Sequence, residues 1–215
     1  VTTKPRQVKS TNPEARFKVK RDKDRRLIVD YDLKDASGTT SLTNKGNLSL
    51  NSATASNSWS SDSVLNRNVY NLRKTGPKYI TIGSSSDTNI KRLRKFMSRR
   101  FTVMMWVKFE NSGQNECLFS FKAANSAGQH ISITKNTSNV LNFSNYSQAL
   151  NVTLDSPTQW NHIAITYNFR NNKRKFFING KKVKASRAGS RINLNSATEA
   201  FIGNANGLVF DNSNA

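Results

Sequence analysis

Between residues 160 and 169 the chain alternates with period two. Ile163, Ile165, Tyr167 and Phe169 share one face, and His162, Ala164, Thr166 and Asn168 share the other. That period predicts a half-buried strand, because successive side chains of an extended chain point to opposite faces of a sheet. Lys175-Phe-Phe-Ile-Asn-Gly180 follows. Its Asn179-Gly180 supplies the two positive-φ residues of a type I′ turn, so 175–178 should pair back with 181–184. Residues 101–109 also alternate, with Phe101, Val103, Met105, Val107 and Phe109 inward. Met104 and Trp106 on the reverse side predict a central strand covered on both faces.

Residues 27–33 place Leu27, Val29, Tyr31 and Leu33 together and predict an opening strand. Further strands are expected at 78–83, 116–122, 129–135, 140–143, 150–154, 191–194 and 199–202, and 35–68 reads as loops with one or two short strands. The exception is 89–100, where Ile90, Leu93, Phe96 and Met97 recur at helical spacing and expose Lys91, Arg92, Arg94 and Lys95. Short strands at regular intervals, separated by polar turns, predict an all-β, antiparallel two-sheet sandwich or jelly roll.

Composition changes this picture mainly through charge. The 215 residues fit one domain, divided here into a basic arm (1–26) and a sandwich (27–215). The net charge is +21, which speaks to partners rather than fold. It predicts a polyanionic neighbour: acidic protein subunits, an acidic glycan, an anionic membrane surface, or nucleic acid reached through the arm. The cations fall in three places. The arm carries Arg16, Lys18, Lys20, Arg21, Arg25 and Arg26, and reads either as a solvated tail or as a tether that orders on an acidic partner. The helix offers Lys91, Arg92, Arg94 and Lys95, to grip phosphate or sulfate or simply to face water. The hairpin offers Arg174, Lys181, Lys182 and Lys184, as a binding surface or as charges that protect an edge strand.

Cys117 is the single cysteine, which excludes an internal disulfide and leans toward a reducing compartment. No apolar run reaches the length of a membrane span. His130 and His162 lack metal-ligand spacing partners, and there is no phosphate loop or nucleophile elbow. Asp30 and Asp32 share a strand face, but no third cation ligand accompanies them.

The order of these motifs resembles the laminin-G-like branch of the concanavalin A-like lectin/glucanase superfamily. The resemblance rests on Arg100-Phe-Thr-Val-Met-Met-Trp-Val-Lys-Phe109, Gln159-Trp-Asn-His-Ile-Ala-Ile-Thr-Tyr167, Lys175-Phe-Phe-Ile-Asn-Gly180 and Ala200-Phe-Ile-Gly203, which occur in the family's order. It implies two packed antiparallel sheets in a jelly roll. It implies no single activity, since the fold carries lectins, protein-binding modules, glycoside hydrolases and structural domains. The family's closing strand and frequent disulfides are not seen. Its hydrolases look like Glu-x-Asp-x-x-Glu on one strand, whereas Glu14, Glu110, Glu116 and Glu199 stand in no such arrangement. Its lectins use loop carboxylates to hold Ca²⁺; Asp87, Asp155 and Asp211 are loop residues, but nothing groups them, so no cofactor is expected. Trp59 reads as a core residue or as a sugar-stacking one.

The expected function is therefore non-catalytic. The first reading is a structural or docking component of a larger assembly, such as a virus particle, that contacts acidic subunits. The alternative is a lectin-like module for acidic or cell-surface glycans, located at an extracellular surface.

Overall fold

The computed structural model describes residues 27–31, 33, 41–48, 53–55, 59–71, 79–83, 87–109, 115–123, 126–145, 148–189, 191–195, 197–205 and 208–209. The arm, with Arg16, Lys18, Lys20, Arg21, Arg25 and Arg26, lies outside them, as do Asp32 and Asp211.

In chain order the strands are β1 (Ser41–Leu42), β2 (Ala53–Ala55), β3 (Trp59–Asp62), β4 (Arg67–Tyr70), β5 (Ile80–Gly83), β6 (Arg100–Val107), β7 (Glu116–Ala123) and β8 (Ser126–Lys135). There follow β9 (Val140–Asn145), β10 (Gln148–Thr153), β11 (Asn161–Asn168), β12 (Lys173–Ile178), β13 (Lys181–Arg187), β14 (Glu199–Ile202), β15 (Asn204–Ala205) and β16 (Leu208–Val209). A helix, α1 (Ile90–Met97), precedes β6.

Two sheets carry the fold. The larger runs β1-β2-β5-β14-β7-β8-β9-β10 and the smaller β13-β12-β11-β6, every described pair being antiparallel. Across the larger sheet Phe119, Ile133, Phe143 and Leu150 stand opposite one another in a single row. They share one buried cluster with Ile163, Ile165, Tyr167 and Phe176 of the smaller sheet. Phe101 of β6 meets Phe143 of β9 edge to face at 6.2 Å, a direct contact between the two sheets. Burying each such side chain contributes about 1.5–3 kcal/mol, so this layer dominates the folding energy.

α1 closes one part of the core with Ile90, Leu93 and Met97. Asp87 starts it, its carbonyl accepting from Ile90 N–H and its carboxylate from Asn89 N–H at 2.8 Å. Arg94 and Lys95 complement the helix dipole in the last turn. The helix approaches β5 closely: a Cβ on Gly83 would stand 2.9 Å from Ile90 Cδ1.

Four expectations need correction. Residues 35–68, read as loops with one or two short strands, hold β1, β2 and β3 and the start of β4. Residues 27–31 form no regular strand. Their carbonyls accept from Lys45, Asn47 and Leu48 N–H groups, so they lie against a bent segment rather than a full sheet partner. Residues 191–194 are likewise irregular, although Ile192 and Leu194 are buried. Finally, β6 is the edge strand of its sheet, not a central one, and its Met104 and Trp106 are 58% and 61% exposed.

Candidate functional site

The outer face of the four-stranded sheet is where these corrections converge. Residues directly opposite in an antiparallel pair share a face, so the register defines the surface as a grid. The first row is Trp106–His162, bordered by Asn179 of the β12–β13 turn. The second is Met104–Ala164–Phe177–Lys182, the third Thr102–Thr166–Lys175–Ala185, and the fourth Arg100–Asn168–Lys173–Arg187. Along β6 and β11, aromatic and thioether groups thus occupy one end and hydroxyls the middle, while Lys182 and Lys175 flank them on β13 and β12 and three cations share the last row. None of the four rows contains a carboxylate.

The aromatic end is built rigidly. The Trp106 indole leans on the His162 ring, with centroids 5.3 Å apart. His162 is fixed by Asn179, whose Oδ1 accepts its N–H at 2.9 Å while the Asn179 N–H donates to the His162 carbonyl at 2.8 Å. The Asn179 amide also donates to Asn161 Oδ1 at 3.2 Å. Buried Asn161 then ties down the preceding loop, donating to the carbonyls of Ser156 and Gln159 at 2.9 and 2.8 Å. Asn179 and Gly180 have φ of 50° and 79°, the left-handed pair expected for this turn. Asn179 was legible as a turn residue; its second role as the brace of the aromatic end was not.

Beside this end, Asp62 closes the β3–β4 hairpin. Its Oδ1 accepts Val64 and Leu65 N–H at 3.0 Å each, and Oδ2 meets Lys108 Nζ at 3.0 Å. The Lys108 hydrogen bond, followed by that from the Leu65 N–H, lowers the Asp62 pKa to about 2. Trp59, on the same hairpin, is half-buried and packs edge-to-face on Tyr70 at 5.2 Å. That is the packing reading, not an exposed stacking platform.

The cations proposed from sequence separate into different fates. Lys181, Lys182 and Lys184 are exposed along β13, with Lys182 at the end of the Met104 row. On α1, Lys91, Arg92 and Lys95 are exposed, whereas Arg94 is half-buried and donates to the Asn195 carbonyl. Arg174 is not a surface residue. It is 3% exposed and donates to Asn145 Oδ1 at 3.1 Å, the Gln148 carbonyl at 3.0 Å and Ser186 Oγ at 3.2 Å. Its alternation places it inward, beside Tyr167, so it clamps the two sheets together and offers nothing to an anion. Burial lowers its pKa from the ordinary guanidinium value.

Other candidates are dispersed. Asp87 is buried at the helix start and Asp155 is exposed. Among the described residues no three His, Cys, Asp or Glu side chains group as metal ligands. Cys117 is buried, and burial pushes its thiol up to about 12. The side chain of His130 lies outside the described ones.

No curated protein sequence matches the chain. Among solved structures, the binding domain of botulinum neurotoxin DC in complex with SialylT is similar with a TM-score of 0.55 at 13% identity, over 82% of this chain and 43% of that one. A botulinum neurotoxin type C structure, described by a cell entry dependent on two ganglioside molecules, gives 0.54 at 12% identity, over 80% and 42%. The CBM40 of the Ruminococcus gnavus IT-sialidase, bound to α2,3 sialyllactose, gives 0.48 at 12% identity, over 58% and 74%. This chain spans less than half of each of the two toxin chains, and at such identities the likeness is one of fold. A laminin G family model, described as concanavalin A-like lectin/glucanases superfamily, matches residues 76–214. With two antiparallel sheets packed as a sandwich and most of its length matched, the chain belongs to the concanavalin A-like lectin/glucanases superfamily.

Proposed function

We propose that this chain is a non-catalytic lectin-type module that binds acidic glycans on the outer face of its four-stranded sheet. The observation that carries this reading is Trp106, 61% exposed beside the 58% exposed Met104 and held in place by a braced His162. A large aromatic surface kept in water by a rigid scaffold is costly unless something covers it. An indole is a flat apolar plate with one N–H donor, suited to the C–H face of a sugar and to one of its hydroxyls. Lys182 in the neighbouring row and Lys181 at the hairpin tip provide positive charge for an acidic substituent.

The non-catalytic part rests on the carboxylates. Glycoside hydrolysis needs two acids facing each other across the sugar. On this face there is none, Asp62 is engaged by Lys108, and Glu116 lies 3.5 Å from Lys135. The botulinum neurotoxin binding domain in complex with SialylT, and the type C toxin whose cell entry depends on interaction with two ganglioside molecules, add support through their shared fold. The assembly-docking expectation keeps only the net charge of +21 behind it, so the glycan reading takes precedence.

The test is titration of the chain with sialylated oligosaccharides, followed by tryptophan fluorescence and calorimetry. Trp106→Ala should weaken binding by about tenfold or more, as expected for a buried aromatic anchor. Unchanged affinity in that variant, with its fold intact by circular dichroism, removes the proposal.

A further inference from the structure

The far end of the same sheet face sets a second requirement on the ligand. Six residue steps along β6 separate Trp106 from Arg100, about 20 Å at the rise of an extended strand. There Arg100, Lys173 and Arg187 stand in one row across β6, β12 and β13, with Asn168 between the first two. All three are exposed.

Chain turns bring three more exposed cations to this end. The Arg99 carbonyl accepts the Phe169 N–H at 2.8 Å, which holds Arg99 beside the end of β11. Arg170 follows directly in the β11–β12 turn. The Arg191 guanidinium lies 4.9 Å from the centre of the Phe169 ring, and the Ala188 N–H donates to the Asn172 carbonyl at 2.9 Å, which folds that segment back. The described ion pairs, Lys108–Asp62 and Lys135–Glu116, involve none of the six. Protection of the β13 edge accounts for Arg187 alone, because the other five lie off that strand.

We infer that the ligand is an extended polyanionic glycan chain. One of its sugars covers Trp106 while acidic groups several units away meet Arg100, Lys173 and Arg187. The inference rests on the glycan reading of the Trp106 end and adds a minimum length and a charge position to it. A lone terminal carboxylate cannot complement six cations at this distance, whereas repeated sulfates or carboxylates can. Arginine forks suit either group, since both accept two parallel N–H donors. Single-stranded nucleic acid fits less well. It calls for several exposed aromatic rings on which successive bases stack, and among the described residues of this face Trp106 is the one exposed aromatic ring.

The test compares a sulfated octasaccharide, a carboxylated unsulfated octasaccharide, a disaccharide of each and a single-stranded oligonucleotide. Each is titrated against the full chain, Trp106→Ala, and the triple variant Arg100→Ala/Lys173→Ala/Arg187→Ala, with thermal unfolding as the fold control. At least one octasaccharide should bind about tenfold or more tighter than its disaccharide, and weaken steeply between about 0.05 and 0.2 M salt. Which octasaccharide shows this identifies the acidic group. In the triple variant that length advantage should fall to about one. An advantage that survives in the triple variant, or is absent for both glycans, overturns the inference and leaves the Trp106 reading standing. Loss of the Trp106→Ala effect overturns the glycan reading itself. An oligonucleotide that binds tighter than either glycan and ignores Trp106 overturns both.

Discussion

Arg174 shows how a single residue changes meaning with its surroundings. As a surface cation its removal would shift stability by less than about 0.5 kcal/mol. As an inter-sheet clamp it donates to buried Asn145 Oδ1, the Gln148 carbonyl and Ser186 Oγ. Arg174→Ala is therefore expected to cost about 1–3 kcal/mol, because it leaves the buried Asn145 Oδ1 without this donor. A shift of the urea midpoint with an unchanged denaturant slope is the readout; a shift near zero would return Arg174 to the surface. Asp62 makes a complementary case in pH. Its folded pKa of about 2 lies below the ordinary aspartate value of 3.8, so its contribution is complete above about pH 4 and is lost as pH falls toward 2. The stability gap between the wild-type chain and Asp62→Asn should accordingly narrow over that window. A gap that stays constant from pH 5 to about 2 would mean that Lys108 does not hold the carboxylate.

At the scale of elements, the β12–β13 hairpin does two jobs. The turn itself requires left-handed backbone at Asn179 and Gly180. A Cβ on Gly180 meets nothing within 4 Å, so Gly180→Ala should cost only the backbone term of about 1–2 kcal/mol. Asn179 adds the side-chain bonds to His162 and Asn161. Asn179→Ala should therefore destabilise by about 1–3 kcal/mol through its lost hydrogen bonds, more than the glycine change where the bonds dominate. Thermal unfolding decides; an Asn179→Ala melting temperature equal to that of the wild-type chain would show that the brace contributes nothing. β6 carries the other lesson at this scale. Its inner residues Phe101, Val103, Met105 and Val107 pack on the core, and its outer ones form the open face.

Across the whole molecule, the charge of +21 is an electrostatic cost carried by the folded state. Screening it should stabilise the chain: raising a non-binding salt from about 0.05 to 0.5 M is expected to increase the melting temperature. A decrease would indicate that attractive ion pairs outweigh the repulsion. The same screening should weaken an acidic glycan, so stability and affinity move in opposite directions with salt. That opposition separates a charged binding surface from a merely basic one.

Much of this architecture is written locally. Period two over 160–169, the Asn179-Gly180 turn, and the helical recurrence of Ile90, Leu93 and Met97 each specify an element within a few residues. Steric preferences act over that range, so β11, the hairpin and α1 all form as expected. What the sequence leaves open is anything that depends on which strand lies next door. The pattern of Met104 and Trp106 is the same on a covered face and on an open one, and only the packing of the core against the opposite face of β6 decides that they are exposed. Arg174 and Lys173 are neighbours of identical charge. The pleat sends one into the interface between sheets and the other into a row with Arg100 and Arg187, residues far apart in the chain. Strand identity is a local property of the sequence; the burial, partners and charge of its side chains are set by long-range register, which exists only in the folded chain.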